Sequence, residues 1–238
     1  EVGSRYDAPQ PERSYLEETR RECRPLRIAV MEKTHAGEDF HPQHLTAVNK
    51  TAKLLEELGH QVEYATPKLD TQTLSRELYQ TIAVDFQNFV LDVGNARGKT
   101  VSDDELETIL LTFVHRGKKI SGSEYARINN ISMEIAYSFD QFMLEYDLVL
   151  SPTVPELPPK IGELYRHEDD YEKFRRHQDR YINLTQVPNV TGQPAMSVPL
   201  WWSKENLPIG MMFVARYGDE STLFSLASQL EKAQPWWD

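Results

Sequence analysis

Cysteine occurs once in the 238 residues, at Cys23. An internal disulfide is therefore excluded, and the composition fits a reducing compartment, with the cytoplasm as the expected setting. Positive charge is in short supply. Lys and Arg number 26 against 37 Asp and Glu, a net charge of -11. The basic pairs Arg20-Arg21, Lys118-Lys119 and Arg175-Arg176 are isolated and read as solvated helix ends or faces. Phosphate binding needs a continuous basic face, so no nucleic-acid partner is expected. Long apolar runs are missing too: none approaches the ~20 residues of a membrane span, and no membrane partner is expected.

Recognisable catalytic and metal patterns are scarce. No G-x-S-x-G turn offers a hydrolase serine. His41 and His44 are three residues apart, but His41 stands before Pro42, where a helix cap is expected, and no carboxylate completes a site. Neither a metal nor a cofactor is expected. His115, His167 and His177 lie in charged stretches and read as exposed, and Cys23 reads as buried filler.

The apolar pattern is that of an α/β protein with a mixed β-sheet flanked by helices, in one domain over 1–238. Residues 1–25 read as an extended lead-in followed by a short helix over Ser14 to Arg21. Residues 26–150 hold a strand-helix-strand unit and then a helical region. "LRIAVM" is a short strand. Pro42 opens a helix that Gly59 ends, and "HQVEYA" is a second strand. Those two strands should be parallel with a right-handed crossover.

Leu74, Leu78, Ile82, Phe86, Phe89 and Val93 mark an amphipathic helix, with Gly94 and Gly98 flanking a turn. Ser102-x-x-Glu105 predicts a capping box opening a helix to about His115. Ser121-x-x-Glu124 predicts a second box and a long helix through Ile128, Ile135 and Phe139. "DLVLSPTVP" reads as a buried strand ended by prolines. In residues 151–238 a loop and a helix from Tyr171 to Leu184 lead to an antiparallel hairpin and a last helix capped by Asp219.

Two segments invite a search for chemistry. "KKISGSEY" sets Lys118 and Lys119 near Ser121 and Ser123, and a serine-lysine pair can run nucleophilic catalysis. Against this, Ser121 is committed to the capping box, and one glycine is thin provision for an oxyanion site. The second segment is "QVPNVTGQPAMSVPL". Pro188 and the Asn189 to Gly192 turn are expected to stop the preceding helix, and Pro194 keeps Gln193 extended. A sharp reversal there would set Asn189, Thr191 and Gln193 beside a buried strand end, where ligands gather in open α/β sheets. A purely structural turn accounts for the pattern equally well.

The stretches "YDLVLSPTVPELPPKIGEL", "NLTQVPNVTGQPAMSVPL" and "LPIGMMFVARYGDESTLFSLASQLEKAQPW" together resemble the C-terminal half of the amidase signature family. The earlier "PERSYLEE", "RPLRIAVM" and "AVNKTAKLLEELGHQVEYATP" are similar to the same family's middle region. The ending resembles the 6-aminohexanoate-cyclic-dimer hydrolase branch. The resemblance implies hydrolysis of a non-peptide amide by a serine, a second serine in a cis peptide, and a lysine. Those residues belong to the family's first half, in and before a Gly/Ser-rich stretch that nothing here matches, so no catalytic residue carries over. The count of 11 glycines, below the ~7% of average usage, agrees with that.

What the resemblance implies is a scaffold and part of a substrate pocket. Thr153 and Val154 of "SPTVP", with Asn189, Thr191 and Gln193, would border the pocket. The helix carrying Ala83, Asp85, Phe86 and Phe89 would add to its wall. The expected partners are an N-terminal amidase polypeptide bearing the catalytic residues and a small amide substrate, with self-association of the isolated chain. The alternative is a non-catalytic binding or scaffold protein derived from an amidase.

Overall fold

The computed structural model describes residues 9–164 and 169–236. Five strands form one mixed sheet: β1 (Arg27–Val30), β2 (Gln61–Tyr64), β3 (Leu148–Pro152), β4 (Ala195–Trp202) and β5 (Pro208–Ala215), in the order β2-β1-β3-β5-β4. β1 runs parallel to both β2 and β3, whereas β5 is antiparallel to β3 and to β4. The expected strand-helix-strand unit is β1, α2 (Pro42–Glu57) and β2. His41 caps α2, accepting from the Gln43 amide at 3.3 Å. Gly59 adopts φ 91° just beyond the helix, a left-handed conformation that glycine takes without a Cβ clash.

Each face of the sheet has its own core. One face packs Ile28, Val30, Leu148, Leu150 and Phe213 against Val48 and Leu55 of α2 and Leu226 and Leu230 of α8 (Glu220–Ala233). The other packs Ala29, Met31, Val149, Met212 and Val214 against Ile135, Phe139 and Met143 of α5 (Gly122–Met143) and Val187 of α7 (Gln186–Thr191). All five β3 residues are buried, which is why "LVLSP" reads as a continuous apolar run rather than an alternating one. A third cluster joins Tyr79 and Ala83 of α3 (Thr71–Arg97), Ile109 and Phe113 of α4 (Thr108–Gly117) and Phe174 of α6 (Tyr171–Ile182). The short lead-in helix is α1 (Tyr15–Glu18), with a capping box from Ser14 to Glu17.

Three expectations are corrected. The box at Ser102 closes only a 3-10 turn, Asp103–Glu105, and Leu106 is extended before α4 begins at Thr108. Glu105 is tied both to Ser102 and back to Arg97 at the end of α3, so it holds a connection rather than launching a helix. Gly94 does not flank a turn. It is buried inside α3, which runs on to Arg97 and is capped by Gly98 at φ 67°. The segment around Asn189 is no bare reversal either: it forms α7, ending on Gly192 at φ 84°. Pro188 is the third residue of that helix, in the first turn, where no N–H is needed for an intrahelical bond.

Candidate functional site

The chain leaves β3 through Thr153 and Val154. The Thr153 amide donates to the Gly210 carbonyl at 2.9 Å and so extends the ladder to β5 by one residue. In β4, Ser197 stands opposite Met212, and Met212 opposite Ser151, so Thr153, Gly210 and Ser197 share one face of the sheet. The Thr153 Oγ1 and Ser197 Oγ hydroxyls lie 2.5 Å apart. A Cβ added at Gly210 would come within 2.6 Å of the first and 2.7 Å of the second. Glycine is therefore what allows the two hydroxyls to bridge across β5. Ser197 is exposed and Thr153 half-buried, so the bridge forms a polar floor open to the outside.

Val154 contributes its backbone. Its carbonyl accepts from His44 Nδ1 at 2.8 Å. His44 is 2% exposed, and burial lowers the ring's pKa, which favours the neutral form. Its Nε2 is buried with no hydrogen-bond partner among the described residues. His44 thus ties the first turn of α2 to the chain just beyond β3. Among the described residues no group of three or more His, Cys, Asp or Glu could hold a metal ion.

Asn189, Thr191 and Gln193 lie elsewhere. Gln193 precedes β4 near Ala215, which pairs with the first residue of β3, whereas Thr153 follows the last. Gln193 and Ser197 are four residue steps apart, about 13 Å of strand. Gln193 is buried and donates to Asp140 of α5 at 2.6 Å, leaving its Oε1 without a partner among the described residues. Thr191 donates to the Val187 carbonyl at 2.8 Å, and Asn189 is exposed. Phe86 packs on Phe113 with ring centroids 5.7 Å apart in the third cluster, while Asp85 and Phe89 are exposed on α3. Ala83 is fully buried. The structure joins Thr153 and Val154 to Ser197, Gly210 and His44, and leaves the α7 and α3 residues as separate groups.

Ser197 and Gly210 were not singled out by sequence reasoning, and His44 was weighed there only as a metal ligand. Gly210 carried a readable signal, because a glycine inside the apolar run "PIGMMFVA" marks a close approach. Ser197 gains its place only from pairing across strands, and His44, on α2, only from its bond to the Val154 carbonyl 110 residues away.

The serine-lysine alternative takes the form of a helix cap. Ser121 accepts from the Glu124 amide, and its Oγ donates to Glu124 Oε2 at 2.7 Å. Its other neighbour is Ser123, at 3.1 Å. Cys23 is buried, as expected, and burial raises its thiol pKa, which keeps it protonated. His115 is exposed, His177 is half-buried against Tyr181, and His167 lies outside the described residues. A cleft of about 430 Å³ runs between α6 and the loop after β1, and another of about 360 Å³ lies beside the end of α3. Neither is lined by any of the seven residues proposed from sequence.

Comparison with known proteins decides the family. The Amidase family profile matches residues 3–224. The chain belongs to the amidase signature family. It is 30% identical to the 6-aminohexanoate-cyclic-dimer hydrolase of Paenarthrobacter ureafaciens over 243 residues, covering 98% of this chain and 49% of that protein. The enzyme of the same name from Pseudomonas sp. (strain NK87) is 29% identical over the same span.

A solved structure of 6-aminohexanoate cyclic dimer hydrolase with substrate superposes with a TM-score of 0.93 at 28% identity, covering 99% of this chain and 51% of that one. A bacterial aryl acylamidase of the amidase signature family shares the fold, with a TM-score of 0.78 at 16% identity over 96% of this chain and 47% of that one. The chain spans about half the length of the curated relatives it matches.

Proposed function

We propose that this chain is the C-terminal part of an amide hydrolase acting on non-peptide C–N bonds, and that it supplies scaffold and part of the substrate pocket. The Ser-Ser-Lys catalytic residues come from an N-terminal polypeptide. The observation that carries the reading is the superposition of nearly the whole chain on only half of a cyclic-amide hydrolase. The commitment of Ser121 to a helix cap supports it, because the serine of the Lys118 to Ser123 cluster is otherwise engaged.

In the complete enzyme the substrate is a small linear or cyclic amide. Thr153, Val154, Asn189, Thr191, Gln193, Asp85 and Phe86 are the residues proposed to border it. The single buried thiol fits a cytoplasmic setting.

The test is turnover of 6-aminohexanoate cyclic dimer and simple aryl amides by the purified chain. No turnover is expected from the chain alone. Turnover should appear when it is co-produced with the half of the P. ureafaciens hydrolase that lies outside the match. Turnover by the chain alone that vanishes in Ser121→Ala or Ser123→Ala would defeat the reading. An inert but folded chain that binds amides without a partner would favour the binding-protein alternative.

A further inference from the structure

The cleft beside the end of α3 belongs neither to the hydroxyl floor nor to the cap at Ser121. Its volume is about 360 Å³, at the small end of the roughly 300–1,000 Å³ of small-molecule sites. α3 forms one wall. Gln87, Val90, Leu91, Gly94 and Asn95 recur at i, i+3, i+4, i+7 and i+8 and so share one helix face. Val114 and Lys118, four apart at the end of α4, supply a second side.

The third side is the connection between the two helices. Gly98 caps α3 at φ 67° and turns the chain back. A Cβ on Gly94 would come within 3.1 Å of the Lys99 carbonyl oxygen and 3.7 Å of the Val101 nitrogen. The bare glycine thus lets the connection fold back on the helix and complete the cleft.

The lining divides by chemistry. Val90, Leu91, Val101, Leu106 and Val114 are apolar, and charge comes from Lys99, Lys118 and Asp103. Two lysines against one aspartate make the cleft cationic in a chain whose net charge is -11. Asp103 faces His115 at 3.7 Å, and Lys99 faces Glu105 at 3.8 Å. Lys118 has no ion pair or side-chain hydrogen bond among the described residues. The amides of Thr100 and Val101, which also line the cleft, have no hydrogen-bond partner among them either. An unpaired ammonium and two free donors beside apolar walls fit an anionic head on a short apolar tail. A bare phosphate would leave those walls without a partner.

We infer that this cleft binds a small carboxylate with an apolar tail, its head on the Lys118 ammonium and its chain along Val90, Val101 and Val114. A hydrogen bond between two ionised groups is stronger than a neutral one, and the walls take the tail out of water. The acids released when small amides are hydrolysed belong to this class, but the assignment stands on the cleft alone and not on the amidase reading. It also gives a use to the lysine of "KKISGSEY" that the cap at Ser121 leaves over.

The experiment titrates the purified chain with hexanoate and follows the backbone amides by NMR. Acetate, hexylamine and inorganic phosphate are the comparison probes. The variants are Lys118→Gln, Leu91→Asp and, as a control outside the lining, Lys119→Gln. Both lysines are exposed and Leu91 is 50% exposed, so none of the changes enters the core. Lys118 and Leu91 sit on different helices, so a folding defect in one variant leaves the other to decide.

Hexanoate should give saturable shifts at Thr100, Val101 and Lys118, with a dissociation constant of about 1 mM, ordinary for so small a ligand. Acetate lacks the tail and hexylamine has the wrong charge, and both should bind about tenfold more weakly or not at all. Lys118→Gln and Leu91→Asp should each weaken hexanoate about tenfold, and Lys119→Gln should leave it unchanged. Hexanoate binding that survives both cleft variants, equal binding of hexylamine, or shifts that never saturate would overturn the assignment. Phosphate binding as tightly as hexanoate would overturn the role of the walls, and the ligand class with it.

Discussion

Replacing Gly210 with alanine tests the hydroxyl floor directly. The new Cβ would meet Thr153 Oγ1 at 2.6 Å and Ser197 Oγ at 2.7 Å, with the Thr153 Cβ at 3.3 Å. Those hydroxyls lie 2.5 Å apart and cannot both keep their places. Breaking the bridge costs about 1 kcal/mol, and forcing a methyl into a filled site costs about 1–3 kcal/mol. Alanine recovers roughly 0.5–1 kcal/mol because it loses less backbone entropy in a strand than glycine. The net expectation is a loss of about 2 kcal/mol, read as a lower urea midpoint at unchanged m-value.

The mechanism is checked by a cycle. In a Thr153→Ala, Ser197→Ala background both hydroxyls are gone and only the Cβ at position 153, at 3.3 Å, remains close, so Gly210→Ala should cost little or nothing. The coupling should then be at least ~1 kcal/mol. Equal stability of Gly210→Ala and wild type would refute the argument. So would a cost that persists unchanged in the background lacking both hydroxyls.

Gly117→Ala should destabilise by about 3 kcal/mol, because its Cβ would lie 2.7 Å from the Ala83 backbone carbonyl carbon and force α3 and α4 apart; a denaturant curve matching wild type would contradict it. Asp147→Ala should cost about 1–2 kcal/mol, since this 8% exposed carboxylate accepts from Arg24 at 3.0 and 3.1 Å and from the Arg27 amide at 2.8 Å, while water takes over the half-exposed Arg24 charge. Burial pushes the Asp147 carboxyl up, but those donors outweigh it and hold the pKa below the ordinary value. Its contribution is therefore present above the unfolded pKa and lost as pH falls through the folded one, which acid titration of the variant against wild type reads out.

His35 acts in the same acid direction from the opposite cause. Burial lowers its pKa to about 4, against a raising hydrogen bond to the Pro67 carbonyl. The unfolded chain then binds the proton first as pH falls from 6.5 to about 4, and stability drops by at most about 3 kcal/mol. A stability profile that is flat over that range, or unchanged in His35→Gln, would defeat this assignment.

Much of the fold was legible because its signals are local. Caps at Ser14, His41, Ser121 and Asp219 are visible in the chain as side chains placed before apolar periodicity. The continuous run of β3 and the spacing of the β4–β5 hairpin are equally local. What was misread depends on partners far away in sequence or on competition for one side chain. Glu105 looks like a helix-starting residue until Arg97 claims it. Gly94 looks like a turn because nothing local reveals that Lys99 and Thr100 pack against its bare face. Pro188 looks like a breaker because its place in the first turn depends on where the helix begins. The hydroxyl floor was least legible of all: Thr153 and Ser197 are 44 residues apart and meet only across a third strand.

The same layering explains how half of a larger enzyme's length can hold together. Both faces of β1, β3 and β5 are closed within this chain, by α2 and α8 on one side and α5 and α7 on the other. Closed faces supply most of the apolar burial that holds a domain. The side left open is an edge, and an edge exposes hydrogen-bonding groups rather than core. β4 accordingly alternates between exposed and buried residues, whereas its neighbour β5 is almost wholly buried. A chain closed on its faces holds its own core, and the bulge after Val198, with Pro199 inside it, breaks the exposed edge of β4 into short stretches that are poor templates for a further strand.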